Sequence, residues 1–318
     1  MSLTLNDIRD ALTRVHNYIK PTELVRCISL EKQLNFPGKI FLKPEYQQPT
    51  GSFKVRGAFN VLTQLSPEQR NKGVVTRSSG NFAQAVAFAA HKLTMKATIV
   101  MPGNAPKIKV DGTKKYGPTV IISGNTHAES QQIVDSLVKD QGLTPLHPYN
   151  NYHTMAGQGT AALEILQQLP EVDHFFCPIG GGGLMGGCAT ALKESRPSIK
   201  THGVEPSGAA DYHASRQTGK HESLEKVDTI ADGLRAPSVG VLNYPILNEY
   251  VDEVSTVSDE EIKNAMKWLY ENMQIVTEPS GAAAFAGFIK QHQKISNHVV
   301  ILISGRNVDE DSFNSWIS

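Results

Sequence analysis

Three cysteines, Cys27, Cys177 and Cys188, are all that 318 residues contain. They lie far apart without metal-ligand spacing, which speaks against a disulfide framework or a zinc site and for small buried apolar side chains. The eleven histidines form no HExxH or paired arrangement, so none stands out as a metal ligand. Neither sign of charge is in excess: 31 basic groups face 31 acidic ones, with no long basic run. Nucleic acid and membrane surfaces are therefore poor partners, and a small molecule is expected. No stretch approaches the roughly 18 to 20 uninterrupted apolar residues of a spanning helix. The opening "MSLTLNDIRDALTRVHNYIK" reads as a charged amphipathic helix rather than a signal peptide, so a cytoplasmic location is expected.

What is present is a hydrophobic content of 40%, suited to a globular protein of about two domains. Short β-rich runs, "KIFLKPE", "GVVTRSS", "KATIVMP", "PTVIISG", "HFFCPIG", "THGVEP" and "VVILISG", alternate with amphipathic stretches through turns rich in Gly, Pro and Ser. That alternation predicts an α/β fold with parallel sheets. In such sheets ligands gather beyond the carboxyl ends of the strands, where "SSGNFAQA", "PIGGGGLMGG" and "SGRNVDEDS" stand.

In "PTGSFKVRGA" the apolar positions Val55, Ala58, Phe59, Leu62 and Leu65 recur at helical spacing, which predicts a helix capped by Ser52. Lys54 then lies in the first turn, where the positive end of the helix dipole favours the neutral, nucleophilic amine. Gly180, Gly181, Gly182 and Gly183 join a strand to an apolar helix, so backbone N–H groups free of Cβ can converge on a phosphate. This run is neither a Walker A loop nor a GxGxxG fingerprint, which disfavours a nucleotide. Ser78, Ser79, Gly80 and Asn81 offer a second anion cradle at another helix start. Together these are the requirements of pyridoxal phosphate, an aldehyde that forms a Schiff base with lysine while its phosphate, ring nitrogen and phenolic oxygen are held separately.

"TGSFKVRGA", "SSGNFAQA", "AGQGT", "PIGGGGL", "GVEPSGAAD", "ADGL", "TEPSGA" and "ISGRNVD" follow the order seen in the serine/threonine dehydratase and serine racemase family of fold-type II pyridoxal-phosphate enzymes, which the chain resembles from about residue 5 to 312. The resemblance implies a tryptophan synthase β-like fold of two α/β domains with mainly parallel sheets. Residues 1–72 and 148–318 would form the large cofactor-binding domain, and residues 73–147 a small mobile one. It implies that Lys54 carries the cofactor, that Phe53 flanks its ring and that Gly180 to Gly183 bind its phosphate. Asn81 would meet the phenolic oxygen, Ser304 would face the ring nitrogen, and Gly233 and Glu278 would line the edge. Ser52, Ser79, Gly80, Asn81 and Phe82 would receive the substrate carboxylate, with Ser79 as a second acid/base opposite Lys54. A neutral hydroxyl at Ser304 makes the ring a weaker electron sink than a carboxylate partner would.

The implied activity is dehydration and deamination of L-threonine or L-serine to a 2-oxo acid and ammonia, with serine racemisation or 3-hydroxyaspartate dehydration as alternatives. Relatives with the pattern "GVEPSGAADY" bind a divalent cation through Glu205, the Ala209 carbonyl and Asp211. Such oxygen donors suit Mg²⁺, Mn²⁺ or Ca²⁺. A homodimer is expected from the family, and the chain ends soon after "SGRNVD", with no room for the regulatory domain of biosynthetic threonine dehydratases.

Three departures stand out: Phe82 where most relatives have histidine, Arg306 in place of the second glycine of an "SGGN" turn, and no arginine in the helix beginning "NTHAESQQ". Arg306 puts a fixed positive charge near the cofactor. Arg77 and Arg306 either greet an extra carboxylate, as on 3-hydroxyaspartate, or are solvated or ion-paired surface residues. A cofactor carrier without turnover and a β-replacement synthase are the rival functional classes.

Overall fold

The computed structural model describes residues 2–78 and 80–318, and Ser79, a predicted catalytic and substrate-binding residue, lies outside the described residues. Among the described residues, ten strands form two sheets: β1 (Val25–Arg26), β2 (Ile40–Pro44), β3 (Val74–Arg77), β4 (Ala97–Pro102), β5 (Thr119–Ser123), β6 (Thr144–Leu146), β7 (His174–Pro178), β8 (Lys200–Pro206), β9 (Glu253–Val257) and β10 (Val299–Ile303). One sheet runs β1-β2-β10-β7-β8-β9 and is parallel except where β1 meets β2. The other runs β5-β4-β3-β6 and is parallel throughout.

β10 shows why these apolar runs become central strands. All five of its residues are buried, and they alternate between two cores: Val300 and Leu302 pack with the helices Leu5–Val15, Tyr152–Gln168 and Gly183–Ser195, while Val299, Ile301 and Ile303 pack on the opposite face with the helices Asp259–Met273 and Pro279–Gln291. A continuous apolar run is what a parallel strand covered on both faces requires. The predicted runs correspond to β2 to β5, β7, β8 and β10; β1, β6 and β9 were not among them. β1 has only two residues, and both β6, with Pro145 inside it, and the Ser/Thr-containing β9 are sheet edges, where a missing N–H or a polar side chain is tolerated.

The helix Lys54–Leu62 sits where the sheets meet, packing on both the Tyr152–Gln168 helix and the Asn81–Lys92 helix. A buried ionic network fixes it. Arg56 Nε donates to Glu45 Oε2 at 2.7 Å, its Nη1 to Glu164 Oε1 at 2.6 Å, and Lys43 Nζ to Glu164 Oε2 at 2.6 Å. All four side chains are at most 1% exposed, so two cations and two anions balance away from water. Among the described residues no helix is long and apolar enough to cross a membrane, and the three cysteines are free and buried.

Candidate active site

A cavity of about 480 Å³ opens beyond the carboxyl ends of β3, β7 and β10. Lys54, Asn81, the four glycines 180 to 183 and Ser304 all line it, although they come from distant parts of the sequence.

Lys54 is the first residue of its helix, as predicted, but Ser52 does not cap it: the cap position is Phe53, with no side-chain capping bond. Ser52 is instead drawn into a bridge with Gly305, and its fully buried Oγ has no hydrogen-bond partner among the described residues. Ser52 itself is not among the residues that line the cavity. Lys54 Nζ donates to the Pro148 carbonyl at 3.2 Å and lies 4.9 Å from the centre of the Phe53 ring and 6.0 Å from that of Phe82. Burial pushes its amine down to about 8, against the opposing pull of Glu278. Desolvation, rather than the helix dipole that sequence reasoning invoked, is the main cause of the shift.

The glycine run turns sharply from β7 into the Gly183–Ser195 helix, with Gly182 at φ +86° as its N-cap. A Cβ on Gly181 would drive into the Tyr149 ring, and the Gly181 carbonyl is tied down by Gly240 N at 3.0 Å and Asn243 Nδ2 at 2.6 Å. The turn is thus held open for backbone N–H groups to meet an anion at a helix N-terminus. Gly80 is the N-cap of the Asn81–Lys92 helix and carries no capping side chain, which leaves a second N-terminus facing the cavity. Phe82 is buried at 2% exposure and contributes apolar surface there. Ser304 Oγ donates to the Ser280 carbonyl at 3.2 Å, and the Gly233 N–H donates to Ser280 Oγ at 2.8 Å, so Ser280 links two predicted cofactor contacts.

Sequence reasoning named Asn81 and Glu278 but missed the lining residues Lys109 and His147. Asn81 Nδ2 donates to Glu278 Oε1 at 2.6 Å, while Glu278 Oε2 accepts from Lys109 Nζ at 3.2 Å; Lys109 also pairs with Asp232. Burial, with Asp232 nearby, pushes the Glu278 carboxyl up, and Lys109 and Asn81 oppose that rise. His147 is pushed down to about 4, first by burial and then by Lys54 and Arg77, so its ring is neutral and its Nδ1 accepts the Asn150 N–H at 2.9 Å. The rule that led to the "SSGN" and glycine loops also applies to the loop after β4, "GNAPKIK", and would have found Lys109.

The two arginines separate. Arg77 lines the cavity, whereas Arg306 is exposed and is not among the lining residues. The turn survives the loss of glycine because the Arg306 N–H still donates to Gly51 O at 2.9 Å.

Glu205, at the end of β8, and Asp211, first residue of the Asp211–Thr218 helix, are buried together with Ala209 between them. Glu205 accepts the N–H groups of Tyr212 at 3.0 Å and His213 at 2.6 Å; Asp211 Oδ2 accepts Val239 N–H at 2.6 Å, and its Oδ1 has no hydrogen-bond partner among the described residues. Burial and the neighbouring Asp211 push Glu205 up to about 8, and burial pushes Asp211 up to about 6. Among the described residues no three His, Cys, Asp or Glu side chains converge as a metal cluster; this site offers two carboxylates and a backbone carbonyl.

Known proteins resemble the chain in sequence and in fold. An L-threonine ammonia-lyase of Thermotoga maritima is 39% identical over 316 residues, covering 99% of this chain and 78% of that one. An L-threo-3-hydroxyaspartate ammonia-lyase of Saccharomyces cerevisiae is 38% identical and covers 99% and 96%. The solved structure of maize serine racemase superposes with a TM-score of 0.94 at 38% identity, over 99% of this chain and 97% of that one. The sequence pattern of the pyridoxal-phosphate dependent enzymes matches residues 15–305. The chain belongs to that family and has its fold-type II α/β architecture.

Proposed function

We propose that the chain is a pyridoxal-phosphate-dependent ammonia-lyase that converts L-threonine or L-serine to a 2-oxo acid and ammonia. The observation that carries this is Lys54: a desolvated amine held near 8, in a cavity that also presents a glycine cradle and a second helix N-terminus. These groups fit the cofactor, because the amine suits its aldehyde and a Cβ at Gly181 would close the turn expected to take its phosphate.

Bound pyridoxal phosphate supplies an aldehyde for capturing an amine and an electron-withdrawing ring. Lys54 Nζ would take the proton from the substrate α-carbon. Gly180 to Gly183 would hold the cofactor's phosphate, Asn81 its phenolic oxygen and Ser304 its ring nitrogen, with Phe53 and Gly233 beside the ring. The Ser52 hydroxyl and the N-terminus at Gly80 and Asn81 orient the substrate carboxylate, while Phe82 excludes water. Ser79 is assigned the second acid/base role. The β-hydroxyl would leave as water by taking up a proton equivalent to the one that Lys54 removes from the α-carbon, and hydrolysis of the released enamine would give the oxo acid and ammonia.

A divalent cation, Mg²⁺, Mn²⁺ or Ca²⁺, is proposed at Glu205, Ala209 and Asp211. The unpartnered Asp211 Oδ1 and the two buried carboxylates support it, since a hard cation would relieve their repulsion. A cytoplasmic homodimer is proposed on the family resemblance. Movement of residues 73–147 as a smaller domain is supported by the four-stranded sheet, which lies within residues 74–146. A second reading, 3-hydroxyaspartate as substrate, is favoured by Arg77 at the cavity wall. The test is to reconstitute the protein with cofactor and supply L-Ser, D-Ser, L-Thr and both threo and erythro 3-hydroxyaspartate, with and without EDTA. A 2-oxo acid from threonine or serine is expected; no oxo acid from any substrate would overturn the proposal.

A further inference from the structure

Two lysines reach the cavity and are partnered in opposite ways. Lys54 Nζ meets a carbonyl, whereas Lys109 Nζ meets two carboxylates, those of Glu278 and Asp232. Lys109 stands on the Lys107–Lys114 helix, which follows β4 of the four-stranded sheet. Glu278 caps the Pro279–Gln291 helix, which packs on β7, β8 and β10 of the six-stranded sheet. The ion pair therefore crosses the cleft, and it does so out of water: the side chains of Lys109 and Glu278 are 4% and 1% exposed. A Cβ on Gly80 would lie 3.7 Å from Lys109 Nζ, so the ammonium sits directly beneath the turn that starts the Asn81 helix.

The contact matters through hydrogen-bond direction. Glu278 Oε1 accepts from Asn81 Nδ2, and Asn81 Oδ1 in turn accepts from Asn307 Nδ2 at 2.7 Å. The amide of Asn81 has one further N–H, and Asn81 lines the cavity. Without its cation, Glu278 would be a buried carboxylate beside Asp232 and would escape by taking up a proton. A carboxyl protonated on Oε1 cannot accept the Asn81 N–H there, and one protonated on Oε2 accepts it only as a neutral group, more weakly than a carboxylate, so the amide is held less firmly.

We propose that Lys109 is a positioning residue that clasps Asp232 and Glu278 across the cleft, keeps Glu278 a charged acceptor and so holds an Asn81 N–H toward the bound cofactor. The cofactor half of this inference rests on the proposed function; the clasp does not. Three variants test it: Lys109→Met, Lys109→Arg and Lys109→Met combined with Glu278→Gln, whose neutral amide needs no cation and still accepts from Asn81. In the protein reconstituted with pyridoxal phosphate, Lys109→Met is expected to alter the visible circular dichroism of the cofactor and to lower kcat roughly 10²-fold, the scale of a displaced positioning contact. Lys109→Arg should recover much of both, and the double variant should recover the visible signal. A Lys109→Met enzyme with unaltered visible dichroism and kcat within about threefold of wild type would overturn the proposal. Urea denaturation of the cofactor-free proteins reads the clasp by itself: the midpoint should fall in Lys109→Met and return in the double variant, and strictly additive effects would overturn it. If Lys109→Met is insoluble, a soluble double variant supports the clasp and an insoluble one overturns it. Failure of the wild type to take up any cofactor would sink the functional reading while leaving the urea comparison to judge the clasp.

Discussion

Arg56→Met is the sharpest test of how the site is held. The guanidinium makes four bonds to the carboxylates of Glu45 and Glu164, between 2.6 and 2.8 Å, and one to Thr160 Oγ1 at 3.0 Å. Methionine fills similar space but strands two buried carboxylates against one cation, Lys43. Removing one partner of a buried ionic set costs about 3 to 5 kcal/mol, chiefly through the uncompensated charge left behind. The pH dependence follows in sign. In the wild type Arg56 and Lys43 hold Glu164 well below the usual carboxylate range despite burial, so its stabilising contribution is present above the unfolded value and lost as pH falls toward the folded one. In Arg56→Met one carboxylate is pushed up instead, so the deficit is largest at neutral pH and shrinks as acid neutralises the surplus charge. Urea denaturation at pH 7.5 and 5.5 measures both quantities, and Glu45→Gln in the Arg56→Met background should recover part of the loss at the higher pH. A loss below about 1 kcal/mol, or an equal loss at the two pH values, would refute the account of an ionic clamp.

Lys54→Ala should abolish both the visible absorbance of the reconstituted protein and its turnover; retention of either removes Lys54 from its proposed role. Because burial lowers Lys54 from 10.5 to about 8, cofactor capture by the cofactor-free protein should quicken up to about pH 8 and then level, measured by stopped-flow absorbance. A rate still climbing toward pH 10 would contradict the desolvation assignment. Gly181→Ala drives a methyl into the Tyr149 ring; overpacking of about 1 to 3 kcal/mol should weaken cofactor binding roughly 5- to 150-fold in a fluorescence titration. Added Mg²⁺ or Mn²⁺ should raise the thermal midpoint, by about 2.7 kcal/mol of stability at a hundred times Kd. Asp211→Asn should remove that gain, and a wild-type midpoint indifferent to both cations and EDTA would dispose of the proposed site.

Much of this was legible because local chemistry was unusual. Four successive glycines after an apolar run, a lysine after Gly-Ser and an Asn after Ser-Ser-Gly each announce a strand end converted into a binding turn, and each lines the cavity. The central strands were legible for a different reason: burial on both faces forces continuous apolar runs such as "VVILI". What stayed hidden was partnership over distance. Glu278 lies 197 residues from Asn81 and 169 from Lys109, and no local pattern states that the three meet. The two arginines make the same point. Arg77 and Arg306 both adjoin site motifs, yet of the two only Arg77 is among the residues lining the cavity, and Arg306 is exposed.

The comparison of Lys54 with Lys109 decides between two physical causes. Lys54 opens its helix and Lys109 stands in the first turn of another, so the dipole at a helix N-terminus acts on both in the same direction. Their shifts nevertheless diverge: Lys54 falls to about 8, while Lys109 rises above its ordinary value although burial alone would lower it. A helix terminus contributes about 0.3 to 1 kcal/mol. A carboxylate about 4 Å from an ammonium contributes about 4 kcal/mol at an effective dielectric of 20. Lys109 has two carboxylates in contact; Lys54 has the Pro148 carbonyl, a dipole rather than a charge, with Glu278 acting only at longer range. The presence or absence of a paired anion, more than position on a helix, therefore separates the lysine that stays a clasp from the one free to become a nucleophile.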